Sequence, residues 1–364
     1  MAVARRRRGA LLAAGLICTA GGAAAPSSHD PFLLAALVAA GGLFWTSRAW
    51  KARVLAGLMA MAGLAWSGLD TNGCSIGSRA RLFSEKVAGH LPYIDWGDVR
   101  RQALCRPCHA SPAGHKEFDS SIKKVAEKTV NGESMGLYRT PIGDFWIPGS
   151  DRALLSWVLW EITVQHCYES RQTVIRPGDT VIDAGAHVGV FTRFALTRKA
   201  GRVVAIEPDR TNIAALELNF GPEIASGRVI LVKAGVWDRK TFLTFSHDQN
   251  SARHSFVTKG ENRLLADQMP VLPLDELVEQ LRLDRVDFIK MDIEGAERRA
   301  LAGARQVLDR FHPRMAISTY HLRDDTTAIP AVVRALEPGY QIHGKDAETG
   351  WDRYVTKVMF FDPR

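Results

Sequence analysis

The chain has 364 residues, 46% apolar and 24% charged, a globular composition with enough apolar material for a sizeable core. Its net charge of +8 is concentrated in residues 1–81, where Arg5, Arg6, Arg7, Arg8, Arg48, Lys51, Arg53, Arg79 and Arg81 face only Asp30 and Asp70; the rest is close to neutral, which argues against a nucleic-acid partner. Cys18, Cys74, Cys105, Cys108 and Cys167 are odd in number and irregular in spacing, which argues for a reduced compartment rather than a disulfide framework.

Three uncharged apolar stretches come first: 9–25, "GALLAAGLICTAGGAAA", behind "RRRR"; 31–47, "PFLLAALVAAGGLFWTS"; and 54–69, "VLAGLMAMAGLAWSGL". Each is slightly shorter than the roughly 20 residues that span a bilayer. Trp45, Trp50 and Trp66 sit near their ends, as in an interfacial aromatic belt. No polar face recurs at helical spacing, so a soluble helix would need cover on every side. The first stretch also has the form of a signal peptide, with small residues at Ala23-Ala24-Ala25, although Pro26 disfavours cleavage there. The expectation is a membrane-anchor region over 1–70 with two or three apolar helices.

Residues 71–135 read as a linker or juxtamembrane segment, with a polar helical stretch in "DSSIKKVAEKTV" (119–130). Within it, "CRPCH" (105–109) has the spacing of a c-type haem attachment site; Cys105, Cys108, His109 and His115 could alternatively hold zinc, and a chance match also accounts for the pattern.

From residue 136 to 364 short Val- and Ile-rich runs alternate with helical patterns. The runs are "TVIDAG" (180–185), "RVVAIEP" (202–208), "RVILVKAGV" (228–236), "VDFIKMDI" (286–293), "RMAISTY" (314–320), "YQIHG" and "YVTKVMFF"; the helices include "VGVFTRFALTRK", "RTNIAALELNF", "LDELVEQLRL", "AERRALAGARQVLDRF" and "IPAVVRAL". This alternation predicts an α/β domain with a doubly wound, Rossmann-like parallel sheet covered on both faces.

Ligands of such sheets bind at the carboxyl ends of the strands. The first strand ends in "DAGAHVG", where Asp183 precedes Gly185, Ala186 and Gly189 in place of the G-x-G-x-x-G of a dinucleotide loop. The second ends in "AIEPD", with Glu207 placed to accept hydrogen bonds from a ribose and Pro208 stopping the strand. An acid beside the glycine turn disfavours a pyrophosphate, so the pair describes a nucleoside without one. S-adenosyl-L-methionine fits, with a ribose for Glu207 and an amino-acid moiety with a sulfonium near the glycine-rich turn.

"RPGDTVIDAGAHVGVFT", "AIEPDRTN" and "FIKMDIEGAE", flanked by "GDFWIPGSD" and "STYHLRDD", resemble the FkbM-type methyltransferases, a branch of the class I S-adenosylmethionine-dependent fold. The resemblance covers about 136–364 and not the first 135 residues. It implies a seven-stranded sheet with a final antiparallel hairpin and methyl transfer, most often to a hydroxyl of a sugar, glycan or small metabolite. Carried over, Asp183, Gly185 and Gly189 line the methionine side and Glu207 holds the ribose.

A hydroxyl acceptor must be aligned and lose a proton. Asp292 and Glu294 end one strand and His321 ends the next, so the three tips can converge, strands being about 4.8 Å apart. His321 is the expected general base, with Asp292 or Glu294 orienting base or acceptor; the alternative is that His321 caps the following turn. Glu294 could instead shape the turn at Gly295, and Glu297 reads as a first-turn carboxylate favoured by the helix dipole. A divalent metal on Asp292 has no companion motif, so no metal ligand is assigned. His187 reads as a loop-packing or cofactor-edge residue; Trp146 either lines the acceptor site or closes the fold.

Counting positive charges puts "RRRR" and "RAWKAR" both on the cytoplasmic side, so three spans would place the domain outside. The need for S-adenosylmethionine favours two spans, or a hairpin of the opposite hand, and a catalytic domain on the cytoplasmic face of a bacterial inner membrane. The competing expectation is a membrane-tethered haem- or metal-binding protein with an inert α/β domain.

Overall fold

A computed structural model describes residues 76–104, 112–149, 152–246, 266–349 and 354–364, all within one compact unit, Asp70–Arg364. The apolar stretches at 9–25, 31–47 and 54–69 and the Cys105–Cys108–His109 pattern lie outside the described residues. Among the described residues no helix is long and apolar enough to cross a membrane.

Helices α1 (Ile76–Val87), α2 (Trp96–Leu104) and α3 (Pro112–Ser120) lead into an antiparallel meander of β1 (Lys123–Val130), β2 (Glu133–Thr140) and β3 (Gly143–Pro148). The expected helix over 119–130 is therefore mostly strand. Its polar composition gives no apolar face to a helix, and pairing with β2 sets its backbone, tertiary context overriding a weak local preference. Strand β2 also runs across the boundary expected at 135/136. The meander docks through Asn219, whose Oδ1 accepts from Trp146 N (2.6 Å) and whose Nδ2 donates to Trp146 O (3.0 Å).

Next come α4 (Arg152–Thr163), β4 (Thr180–Ala184), α5 (Val190–Thr197), β5 (Arg202–Ile206), α6 (Arg210–Asn219), α7 (Gly221–Ala225), β6 (Val229–Val232), β7 (Gly235–Val236), β8 (Thr241–Ser246) and β9 (Ala266–Leu272). The chain continues through α8 (Leu274–Gln280), β10 (Phe288–Met291), α9 (Glu297–Ala302), α10 (Arg305–Phe311), β11 (Arg314–Ser318) and α11 (Asp325–Leu336). It ends in β12 (Gln341–Gly344), β13 (Ala347–Thr349), β14 (Tyr354–Thr356) and β15 (Val358–Asp362).

The central sheet has seven strands in the order β12-β15-β11-β10-β4-β5-β6, parallel except for β15, which is antiparallel to both neighbours. This is the mixed seven-stranded sheet expected from the resemblance. Alternate residues feed two cores. Val181, Val203, Phe288 and Phe360 pack under α4, α5 and α6, while Ile182, Val204, Ile289, Met315 and Phe361 pack under α8 to α11. Both faces are thus covered, which is why the strands read as continuous apolar runs. Backbone pairing of Gly344 N with Tyr93 O (2.7 Å) places the loop before α2 along the exposed edge of β12.

Three expected elements are divided. The run at 228–236 splits between β6 in the main sheet and β7 in a small β7-β9-β8 sheet, and the last run splits into β14 and β15. The helix over 296–311 breaks at Gly303, where an added Cβ would stand 2.4 Å from Trp237 O, so the backbone must pass too close for a regular helix to continue.

Candidate active site

Strand order reverses between β4 and β10, and the crevice at their carboxyl ends is the site such sheets offer a ligand. Gly185, at φ 78°, makes the crossing: a Cβ there would meet Asp292 O at 1.9 Å. Gly185 N and Ala186 N both donate to Ile206 O (3.0 Å), which draws the loop after β4 against the tip of β5. A cavity of about 560 Å³ opens at these strand ends, a volume ordinary for a small-molecule site.

Gly185, Ala186, His187, Glu207 and Pro208 line this cavity; Asp183 and Gly189 support it from behind. Asp183 is fully buried, accepting from Thr192 Oγ1 (2.7 Å) and lying 3.1 Å from Lys290 Nζ. Lys290 also donates to Gly185 O (2.6 Å), tying the ends of β4 and β10 to one ammonium. Burial raises the Asp183 carboxyl against the pull of Lys290. Burial also opposes the Lys290 charge, but Asp183 and Asp292 outweigh it and hold the ammonium above its ordinary value. Gly189, at φ 92°, lets α5 start against α6, where a Cβ would strike the Phe220 ring at 2.2 Å.

Glu207 is buried at the tip of β5. Its Oε2 accepts from His187 N (2.8 Å) and its Oε1 from Asp209 N (3.0 Å) and Asn212 Nδ2 (3.4 Å). A carboxylate has about four acceptor positions, so this one keeps capacity toward the cavity. Burial, reinforced by the charge of Asp209, pushes it up to about 7.

The opposite wall carries Asp292, Glu294 and Tyr320, with Tyr168 beside them. Tyr168 Oη donates to Asp292 Oδ2 (2.6 Å). Glu294 and Gly295 both have positive φ, 54° and 95°, so the chain doubles back after β10 and returns the Glu294 carboxylate to the crevice. His321 stands behind them, its side chain 4% exposed and absent from the cavity wall. Its Nδ1 lies 2.9 Å from Glu297 Oε1, which also accepts from Ile293 N (2.9 Å). Its Nε2 lies 3.3 Å from Asp292 Oδ1 and 3.5 Å from Glu294 Oε1. Burial opposes charge on His321, but Glu297, Glu294 and Asp292 around it raise the imidazole well above its ordinary value. Burial raises Glu294, whereas Asp292, although burial opposes it, is held low by His321 and Lys290.

The structure therefore brings Asp292, Glu294 and His321 together and sets Gly185, Ala186, Glu207 and Pro208 across the same cavity. His187 lines the cavity, and its backbone N donates to Glu207. Trp146 lies away from the cavity wall, in the meander, with Lys128 Nζ 4.3 Å above its ring. Glu297 is in the first turn of α9, as expected, and is also the partner of His321. Lys290, Tyr168, Tyr320 and Trp157 were not singled out from sequence. Only Lys290 left a signal, as a lysine inside an otherwise apolar buried strand.

Residues 183–342 match the family model described as the methyltransferase FkbM domain, a span that holds Asp183, Glu207, Asp292, Glu294, Glu297 and His321. The chain is 29% identical over 204 residues to the 31-O-demethyl-FK506 methyltransferase FkbM of Streptomyces tacrolimicus, covering 48% of this chain and 77% of that protein. It is 24% identical over 207 residues to the AMB antimetabolite synthetase AmbE of Pseudomonas aeruginosa, covering 47% of this chain and only 10% of that protein. Among solved structures it is similar to the methyltransferase FkbM from Methylobacillus flagellatus, with 19% identity, TM-score 0.39, and coverage of 77% of this chain and 65% of that one. It is also similar to an O-methyltransferase from Bacillus cereus in complex with SAH, with 14% identity, TM-score 0.31, and coverage of 51% and 74%. The FkbM-domain match and the curated relative from Streptomyces support the methyltransferase family for the α/β part of this chain.

Proposed function

We propose that the chain is a methyltransferase that uses S-adenosyl-L-methionine to methylate a hydroxyl of a sugar, glycan or small metabolite. The observation that carries this reading is one cavity with a nucleoside-type wall, Gly185, Ala186 and Glu207, facing a proton-handling wall, Asp292 and Glu294 backed by His321. The residues fit the cofactor. Glu207 keeps acceptor capacity for a ribose hydroxyl, and the carboxylates around the crevice favour a cation over an anion. When bound, the cofactor supplies an electrophilic methyl group on a sulfonium.

The chain's own part is binding, orientation and proton transfer. Glu207 orients the nucleoside, and the backbone at Gly185–Ala186 forms the floor beside it. Asp292, fixed by Tyr168, and Glu294 hold the acceptor hydroxyl and receive its proton, while His321 and Glu297 set the charge and position of that pair. Incubation of the purified full chain with methyl-labelled cofactor and membrane, glycan and metabolite fractions tests the reading: label in an ether-linked product is expected, and saturable cofactor binding with no label in any fraction refutes the transferase role.

Residues 1–70 are proposed to anchor the chain, with the 136–364 domain at the cytoplasmic face, as the flanking arginines, apolar stretches and cofactor supply suggest. A fusion at the C-terminus whose reporter works only outside the cytoplasm refutes that placement.

A further inference from the structure

The atoms that gather at His321 are unusual in one respect. Nε2 of His321 and Oδ1 of Asp292 are buried without a hydrogen bond among the described residues, although Nε2 has two carboxylate oxygens in front of it. Buried polar atoms in proteins nearly always have a partner. A charge-assisted N–H···O bond would be about 2.7–2.9 Å, and one proton on Nε2 can serve only one of the two oxygens. If Nδ1 donates to Glu297 and Nε2 is bare, its lone pair faces two carboxylates. In that second case the cluster lacks positive charge between these three side chains.

We propose that Asp292 Oδ1, Glu294 Oε1 and His321 Nε2 bind a divalent first-row cation. The three ligand atoms lie within 4.8 Å of one another. With metal–ligand bonds of about 2.1 Å, neighbouring ligand atoms of an octahedral or tetrahedral site are roughly 3.0–3.4 Å apart. The 3.3 Å and 3.5 Å separations from Nε2 match that spacing better than they match hydrogen bonds.

The surrounding shell has the form that orients metal ligands. Glu297 accepts from Nδ1 of His321, fixing the tautomer that presents Nε2, and Tyr168 holds the other oxygen of Asp292. Asp292 and Glu294 line the cavity, which gives the ion a way in and leaves its remaining positions open toward the ligand space. Three protein ligands with open positions describe a reactive rather than a structural site. Mixed carboxylate and imidazole donors suit Mn²⁺, Co²⁺ or Zn²⁺. Binding stands on this geometry alone; the use of the ion to hold the acceptor oxygen rests on the methyl-transfer reading. No sequence motif announces the site, because its ligands end two strands whose tips meet only in the folded sheet.

The test uses the full chain, stripped with chelator and titrated with Mn²⁺ followed by electron paramagnetic resonance. Mn²⁺ is chosen because the thiolates of the Cys105–Cys108 pattern compete poorly for it. Binding of S-adenosylhomocysteine is measured on the same samples by calorimetry. One Mn²⁺ per chain is expected, weakened about tenfold or more in Asp292→Asn, Glu294→Gln and His321→Ala, with a Co²⁺ visible band that changes in His321→Ala. Near-UV circular dichroism reports folding, and if His321→Ala does not fold the two carboxamide variants decide. Equal Mn²⁺ binding by the parent and every folded variant places the ion elsewhere and overturns the proposal. No Mn²⁺ or Co²⁺ binding alongside intact S-adenosylhomocysteine binding also overturns it and leaves the transferase reading standing. Variant-sensitive Mn²⁺ without S-adenosylhomocysteine binding upholds the site and removes the transferase reading.

Discussion

Glu297 and His321 are 24 residues apart in sequence and 2.9 Å apart in space, Oε1 against Nδ1, with both side chains sealed from solvent. The pair joins the start of α9 to the loop after β11, and it places His321 behind the carboxylates that line the cavity. Removing the carboxylate strands a charged imidazole in the interior. Glu297→Ala is therefore expected to cost about 3–5 kcal/mol of stability. Glu297→Gln, which also lacks the charge but still accepts from Ile293 N, is expected to cost about 1 kcal/mol less than Glu297→Ala. Urea denaturation of the two variants checks this; equal losses would mean that the charge, which both variants lack, rather than the acceptor oxygen sets the cost.

Lys290 and Asp183 form the second buried pair, 3.1 Å apart, beneath the glycine loop. Lys290→Met leaves Asp183 unpaired and is expected to cost about 3–5 kcal/mol and to abolish cofactor binding, since the ammonium also holds Gly185 O. Adding Asp183→Asn removes the stranded charge, so the double variant is expected to regain most of the stability but not the binding. A double variant no more stable than Lys290→Met would contradict this account of the pair.

The glycines and acids at the tips of β4 and β5 were legible because they sit at fixed offsets from strong apolar runs, and chain order then puts them side by side. The same logic found Asp292, Glu294 and His321. What it missed depends on long-range contact. Tyr168 reaches Asp292 across 124 residues from a loop with no periodicity of its own. Glu297 was legible as a first-turn carboxylate, and only the fold reveals that His321 covers it. Strand β1 looked helical because its stability comes from β2 rather than from an apolar face of its own.

Glu207 makes the site sensitive to pH. Its carboxyl moves from an ordinary 4.5 up to about 7, chiefly through burial. The folded chain then binds more protons than the unfolded one between those values, so this group's contribution to stability declines as pH rises from about 4.5 to 7, by at most about 3 kcal/mol. On the proposed reading cofactor binding runs the other way, because a ribose hydroxyl would donate to the ionised carboxylate. S-adenosylhomocysteine affinity is expected to fall up to about tenfold per pH unit below 7. In Glu207→Gln both dependences should flatten, with affinity at pH 8 about tenfold below the parent's, the worth of one charge-assisted bond. Calorimetry and melting across pH 5.5–8 measure both; a parent protein whose affinity is flat across pH 7 would remove Glu207 from the ribose.

Trp157 is the large side chain at the mouth of the cavity, 47% exposed, with the His115 ring edge-on at 4.8 Å. It lies on α4, outside the strand tips proposed to hold the cofactor. An indole this exposed contributes little to the core, so Trp157→Ala is expected to melt within a few degrees of the parent. Its flat apolar face at the entrance suits contact with the acceptor rather than with the cofactor, and such contact is typically worth about 1–3 kcal/mol when a large aromatic is removed. The variant is therefore expected to raise the KM for acceptor by roughly tenfold to a hundredfold while leaving S-adenosylhomocysteine affinity within twofold. Steady-state kinetics with the acceptor found in the labelling experiment, paired with calorimetry, separates the two. A loss confined to cofactor affinity would move Trp157 to the other wall of the site.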